Sequence, residues 1–320
     1  FGSDVPVEGA EAGNFAWRDA PFLQAMQRGD WVLLDEMNLA SQSVLEGLNA
    51  CLDHRGEVYI SELDQTFKRH PNFSVFAAQN PHHQGGGRKG LPASFVNRFT
   101  VVYADVFRND DLTLICERSF PDMDKEMMAK VITFVSTLEQ EVVYKGRFGT
   151  QGGPWEFNLR DTLRWLKLLA SKEPLLQAST PADFLNLIFR QRFRTARDRE
   201  QVDKIFAQVF GYAVPFRHLY PNLAPEAYQV GMAYLPRQPR VQRLALPASD
   251  MRQHLAELES VMMCVTQNMP AIFVGPSGSG KSTIINHVAA AAGAELVTFP
   301  LNADVDTMDL VGGFEQLDPQ

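Results

Sequence analysis

The chain has 320 residues, a hydrophobic fraction of 45% and a net charge of −8. That length calls for two domains or parts of them, the composition excludes a disordered polypeptide, and the acidic balance excludes nucleic-acid binding by overall charge, leaving only local basic patches. With no apolar run near the ~18 residues of a membrane span, no signal-peptide pattern, and Cys51, Cys116 and Cys264 spaced too widely for metal ligation, the chain reads as soluble and intracellular, with reduced thiols and no membrane partner.

The first hundred residues alternate short apolar runs with helical patches, the pattern of an α/β layer. GDWVLLDEMN, residues 29–38, is a continuous apolar run closed by acids and predicts a buried parallel strand. SQSVLEGLNACLD, 41–53, places Val44, Leu45, Leu48 and Leu52 at helical spacing behind a serine cap. EVYI and QTFKR flank SELD as a hairpin, NFSVFAAQN (72–80) reads as a second buried strand, and FTVVYAD (99–105) as a third. From about Arg108 the pattern becomes helical, with segments near 109–119, 122–145, 158–171 and 181–211. PRQPRVQRLALP, 236–247, has three prolines and no periodicity, as a linker does. MRQHLAELESVMMCVTQN then predicts a helix, AIFV a strand, STIINHVAAAAG a second helix and AELVTF a second strand.

The strand–loop–helix unit near the C-terminus contains VGPSGSGKSTI, in which Gly275, Gly280, Lys281 and Ser282 match the phosphate-loop pattern G-x-x-x-x-G-K-[ST]. Glycines let successive backbone N–H groups turn inward around phosphates, and Gly278 adds to that freedom. Lys281 would bring positive charge to the β- and γ-phosphates of ATP or ADP, and Ser282 a hydroxyl to Mg²⁺. The helix that follows points its positive end at the same anion. The whole stretch Gly275, Pro276, Ser277, Gly278, Ser279, Gly280, Lys281, Ser282 and Thr283 is the candidate nucleotide-binding loop.

Four further positions carry candidate chemistry. Asp35 and Glu36 end an apolar strand, where parallel sheets place their ligand sites. Asp35 would hold the hydration shell of Mg²⁺, and Glu36 would polarise an attacking water. Asn80, at the end of the next strand, would orient that water. Arg98, ahead of a third strand, would serve as an arginine finger, and Arg160, opening a helix, would sense the γ-phosphate from above. Taken singly, these residues are also what an acidic turn, a turn asparagine and solvated arginines look like.

Their order resembles the AAA+ ATPases, in which Walker B, sensor 1, arginine finger and sensor 2 follow one another. The longer phrases FGSDVPVEG, WVLLDEMNLASQSVLEGLNACLDHRGEVYI, AAQNPHHQGGGRKGLPASFVNRF and DLVGGFEQLD are similar to the dynein-related branch, whose members carry several ATPase modules in one polypeptide. The resemblance implies an α/β fold, with parallel-sheet parts of an AAA+ P-loop NTPase core and an α-helical lid. Residues 1–105 would be the back of one core, 106–235 its lid, 236–250 a linker, and 251–320 the front of the next core. Val311-Gly312 align with Phe1-Gly2, so the chain, which opens without an initiator methionine, would span one repeat cut in mid-module. Lys281 and Glu36 would then serve different modules, and Arg98 a module before its own. By the same resemblance the whole protein would use ATP hydrolysis to release assembly factors from pre-60S ribosomal particles, in the nucleolus and nucleoplasm, with neighbouring AAA+ modules as its partners. A nucleotide-stapled scaffold that does not hydrolyse, and a circularly permuted stand-alone ATPase, are the alternative readings.

Two basic stretches remain. HHQGGGRKG, 82–90, reads as a mobile surface loop, and His82-His83 lack further ligands at metal spacing, so no metal beyond Mg²⁺ is assigned. RQRFRTARDR puts Arg190, Arg192, Arg194, Arg197 and Arg199 in one helical stretch. Direct RNA contact there is one reading; a solvated face or an interface to a neighbouring module accounts better for the adjacent Asp198 and Glu200.

Overall fold

The computed structural model describes residues 1–6, 15–80, 90–237, 248–302 and 305. They fall into two compact units, Phe1–Asp105 with Val305, and Val106–Asn302.

In the first unit, β1 (Gly2–Pro6) pairs antiparallel with β2 (Phe15–Asp19). A Cβ on Gly2 would come within 2.2 Å of the Trp17 ring, so this close approach needs glycine. Helix α1 (Pro21–Arg28) opens on proline and ends at Gly29, whose φ of 84° supplies the left-handed cap. Its buried Leu23 and Met26 meet Cys51, Val58, Ile60 and Phe73 in a small core. Strand β3 (Trp31–Leu34) runs parallel to β6 (Ser74–Ala77), with Trp31 opposite Ser74. Between them come α2 (Gln42–Leu52) and the hairpin of β4 (Glu57–Ile60) and β5 (Gln65–Lys68). The cap of α2 is Ser41, whose Oγ accepts the Val44 N–H at 3.4 Å. A second small core of Met37, Leu45 and Phe95 joins α2 to the turn after β3 and to α3 (Ala93–Val96).

Two expectations for this unit are corrected. Strands β3 and β6, both expected to be buried, are at most half-buried: Trp31 is 75% exposed, Leu33 65% and Phe76 50%. FTVVYAD forms no strand, and Val102 and Tyr103 stand almost fully in solvent. The common reason is pairing. Among the described residues β3 and β6 make a sheet of two strands, so neither face gains the layers that bury a parallel sheet.

The second unit begins with five helices: α4 (Asn109–Ser119), α5 (Lys125–Glu139), α6 (Leu159–Leu169), α7 (Pro181–Ile188) and α8 (Ala196–Phe210). Their starts are fixed by side-chain caps. Asp124 accepts the Met127 N–H at 2.8 Å, Asn158 the Arg160 N–H at 2.9 Å, and Thr195 the Asp198 N–H at 3.1 Å. Phe134 of α5 is the centre of the core, edge-on to Trp165 at 5.2 Å, Phe189 at 5.4 Å and Phe206 at 6.1 Å.

Short strands β7 (Pro221–Leu223), β8 (Ala227–Val230) and β9 (Ala233–Pro236) then form an antiparallel sheet. This sheet was not legible beforehand, because strands of three or four residues show no period. Helices α9 (Leu255–Thr266) and α10 (Lys281–Ala292) pack with it. Their Leu258, Met262, Ile284, Val288 and Ala291 belong to the same continuous core as Phe134 and Trp165. The expected strands AIFV and AELVTF carry no pairing; Ile272 is 91% exposed and Val297 78%. A strand needs a neighbour for its backbone groups, and the described residues of this unit offer these two segments none.

The arginine stretch also departs from expectation. It is a 3₁₀ turn at Arg190–Arg192, a break, and then α8, and it is not one solvated helical face. Arg190 pairs with Asp203 at 3.1 Å. Arg192 grips buried Asp161 through both terminal nitrogens and lies over the Phe157 and Phe189 rings. Arg199 donates to the Phe193 carbonyl at 2.8 Å. Gln267, at the end of α9, donates to Glu173 at 2.8 Å, and Gln191 of the helical bundle donates to the Ala256 carbonyl of α9 at 3.2 Å.

Candidate functional site

In the first unit the parallel ladder continues past both strand ends. The Ala78 N–H donates to Leu34 O at 2.9 Å, and the Met37 N–H to Ala78 O at 3.1 Å. That alignment sets the acids ending β3 beside the polar end of β6. The Glu36 N–H donates to Asp35 Oδ1 at 3.0 Å, and Asn80 Nδ2 donates to Glu36 Oε1 at 2.6 Å. Glu36 holds a φ of 50°, a left-handed conformation unusual for a residue with a side chain. The next two residues anchor it. Met37 is buried against Leu45 and Phe95, and Asn38, 3% exposed, donates from Nδ2 to Asn80 O at 2.9 Å.

Asn38 is the residue that sequence reasoning passed over. It ties the turn after β3 to the end of β6 by a contact spanning 42 positions, and no local pattern announces such a link. Its buried Oδ1 has no partner among the described residues.

The phosphate loop lies in the second unit. Gly278 and Gly280 each have a φ of 78°, and Gly280 caps the start of α10. A Cβ on Gly275 would stand 2.8 Å from Ser279 Oγ, so this part of the loop is tight. Lys281 Nζ donates to the loop's own carbonyls, Gly275 O at 2.8 Å and Pro276 O at 2.7 Å, and lies 3.4 Å from Ser279 Oγ. A cation at the first position of a helix faces the positive end of its dipole. With a lysine and a glycine-rich loop at a helix N-terminus, the residues present fit a phosphate-bearing ligand. Pro276, Ser277, Ser282 and Thr283 are exposed beside it. Behind the loop, α10 is seated by buried His287, whose Nε2 is 3.2 Å from the Tyr228 hydroxyl of β8. Burial lowers the His287 pKa from 6.5.

Asp35, Glu36 and Asn80 are thus brought together, and so are the residues from Gly275 to Thr283. Arg98 is exposed and its guanidinium donates to the Ser94 carbonyl. Arg160 is exposed on the first turn of α6, beside the Asn158 cap. The groups of His, Cys, Asp and Glu among the described residues include none that could hold a metal by themselves. His82-His83, most of the 236–247 linker, and Val311-Gly312 lie outside the described residues.

Residues 5–99 and 270–318 match the AAA domain of the dynein-related subfamily, and residues 111–213 match the midasin AAA lid domain. The chain is 44% identical to midasin of Dictyostelium discoideum and 35% identical to midasin of Giardia intestinalis, each over 99% of its own length. It spans 6% and 7% of those two relatives. An uncharacterised protein of Staphylococcus aureus is 28% identical over 36% of the chain and 43% of its own length. A dynein-related AAA match on either side of a midasin-type lid, and similarity to midasin from end to end, make this chain a member of the dynein-related AAA+ family of α/β ATPases.

Proposed function

We propose that this chain is a working stretch of a midasin-like ring ATPase, holding the back of one nucleotide site and the front of another. The observation that carries the reading is the 2.6 Å hydrogen bond between Asn80 and Glu36 at the ends of two paired parallel strands. A carboxylate held by a side-chain amide, next to a second carboxylate, is the arrangement that orients and polarises a water for attack on a phosphoryl group. Asp35 would hold the Mg²⁺ shell and Glu36 the water, with Asn80 fixing the carboxylate. The phosphate loop, with Lys281 and Ser282, would bind the phosphates and Mg²⁺ of a second nucleotide. Bound ATP supplies the phosphoryl chemistry; these residues position, neutralise and exclude.

Neighbouring modules of the same polypeptide would complete both sites. Arg98, exposed and without a carboxylate partner among the described residues, is available as a finger toward such a neighbour, and Arg160 as a sensor. The exposed Ile272, Val274, Val297 and Phe299 are what unpaired core strands would present until the missing strands arrive. On the resemblance to midasin, the cycle would drive release of assembly factors from pre-60S particles in the nucleus.

The test is ATP turnover by the isolated chain across a wide concentration range, beside Glu36→Gln and Lys281→Ala, with the same substitutions in the full-length protein. The reading expects no turnover by the isolated chain and loss of turnover in the full-length variants. Concentration-independent turnover by the isolated chain, lost in both variants, would instead mean a self-complete, permuted ATPase. Full-length turnover indifferent to Glu36→Gln would favour a nucleotide-stapled scaffold.

A further inference from the structure

Away from the strand ends and the phosphate loop, the helical part of the second unit carries an open cavity of about 780 Å³. One wall is a stripe along α8, Arg197, Gln201, Lys204 and Gln208, at the four- and three-residue spacing that puts side chains on one helical face. Thr137 and Glu141, at the end of α5 and just beyond it, form the facing wall. Phe148 and Ile205 give the cavity an apolar floor. Its volume lies in the range of sites that take a ligand of some hundreds of daltons or a short peptide segment.

The charges in the cavity do not balance locally. Glu141 is already engaged by Lys145 at 2.8 Å and Arg147 at 2.7 Å. Buried Asp198 accepts the Gly149 N–H at 3.2 Å. That leaves the exposed Arg197 and Lys204, which have no carboxylate partner among the described residues, although other arginines nearby do. Seven residues of helix separate them, about 10 Å along the axis. Gln201 and Gln208 supply amide donors and acceptors on the same face, able to pair with a peptide backbone.

We propose that this groove docks an extended acidic segment of a protein partner, with carboxylates about 10 Å apart on Arg197 and Lys204 and an apolar side chain on Phe148 and Ile205. An RNA strand is the poorer occupant. The walls contain Glu141 and Asp198, the floor is too small a platform for stacked bases, and the chain as a whole is acidic at −8. This site is separate from the nucleotide chemistry and stands whether or not the proposed hydrolysis is right.

The test uses fluorescence anisotropy with a labelled twelve-residue Glu-Leu-Pro repeat, whose polyproline conformation spaces its carboxylates about 9 Å apart. A Lys-Leu-Pro repeat and labelled oligouridylate are run beside it. The expected result is saturable binding of the glutamate peptide alone, weakened about tenfold or more by Arg197→Glu with Lys204→Glu. Both side chains are exposed, so the melting temperature of the double variant should match the parent. Three results would overturn the proposal: no saturation up to about 1 mM peptide, equal affinity in the double variant, or oligouridylate binding that the double variant abolishes.

Discussion

Glu259 offers the sharpest test of how the phosphate-loop helices are tied to the rest of their unit. It sits on α9, 7% exposed, where Oε1 accepts the Met232 N–H at 2.9 Å and Oε2 accepts from Arg217 at 2.8 Å. Arg217 also reaches Asp183 of α7 at 3.5 Å, so one carboxylate links α9, the β8–β9 turn and the helical bundle. Glu259→Ala removes a charge-assisted hydrogen bond and leaves the Met232 N–H unpaired. With Arg217 retaining Asp183, the cost is about 3 kcal/mol. Glu259→Gln keeps an acceptor of the same shape and should cost only about 1 kcal/mol. For a unit of this size those figures correspond to melting shifts of roughly 6–12 °C and 2–4 °C.

The assay is thermal and urea unfolding followed by circular dichroism, extended to a cycle with Gly231→Ala. Gly231 has a φ of 56°, and a Cβ there would stand 2.2 Å from Glu259 Oε1. Gly231→Ala should therefore cost about 1 kcal/mol less in the Glu259→Ala background than in the parent; the backbone strain and the Leu219 contact remain in both. A cost for Glu259→Ala no larger than that for Glu259→Gln, together with additive behaviour in the cycle, would refute the assignment of Glu259 as the tie.

Other outcomes follow from named contacts. Asn80→Ala should leave folding nearly intact, since the residue is exposed, but lower turnover of the full-length protein by about 10²-fold, measured as phosphate release. Lys281→Ala should weaken binding of a fluorescent ADP analogue to the isolated chain by about tenfold or more. His287 is held neutral by burial, its pKa below 6.5; as pH falls through that value the unfolded chain takes up the proton first. Its share of stability is therefore full above pH 6.5 and drains as pH falls toward the folded pKa, and His287→Phe should flatten urea midpoints across that range. Cys51 is fully buried with its thiol pushed up to about 11, so iodoacetamide should label Cys264 in the native chain and reach Cys51 only on unfolding.

The local elements were legible because each carries its own signal. Ser41 ahead of a 3–4 periodic run announced α2, the apolar run before Asp35 announced β3, and glycines with Lys281 announced a loop capping α10. The candidate roles of Asp35, Glu36 and Asn80 rest on their order along the chain, since an acid or an amide at a strand end, taken singly, is also an ordinary turn residue. What only the tertiary structure decided depends on distant partners. The parallel pairing of β3 with β6 is what sets Asn80 against Glu36, and buried Asn38 secures that register across 42 positions. AIFV, AELVTF and FTVVYAD have the composition of strands yet stay unpaired among the described residues, because composition records a preference for a sheet while pairing needs a neighbour. The arginines from 190 to 199 look alike in the sequence, and the fold separates them: Arg192 meets Asp161, Arg190 meets Asp203, and Arg197 is left to face a groove. A charge is written in the sequence, but what it costs or contributes is set by whichever opposite charge the fold brings near.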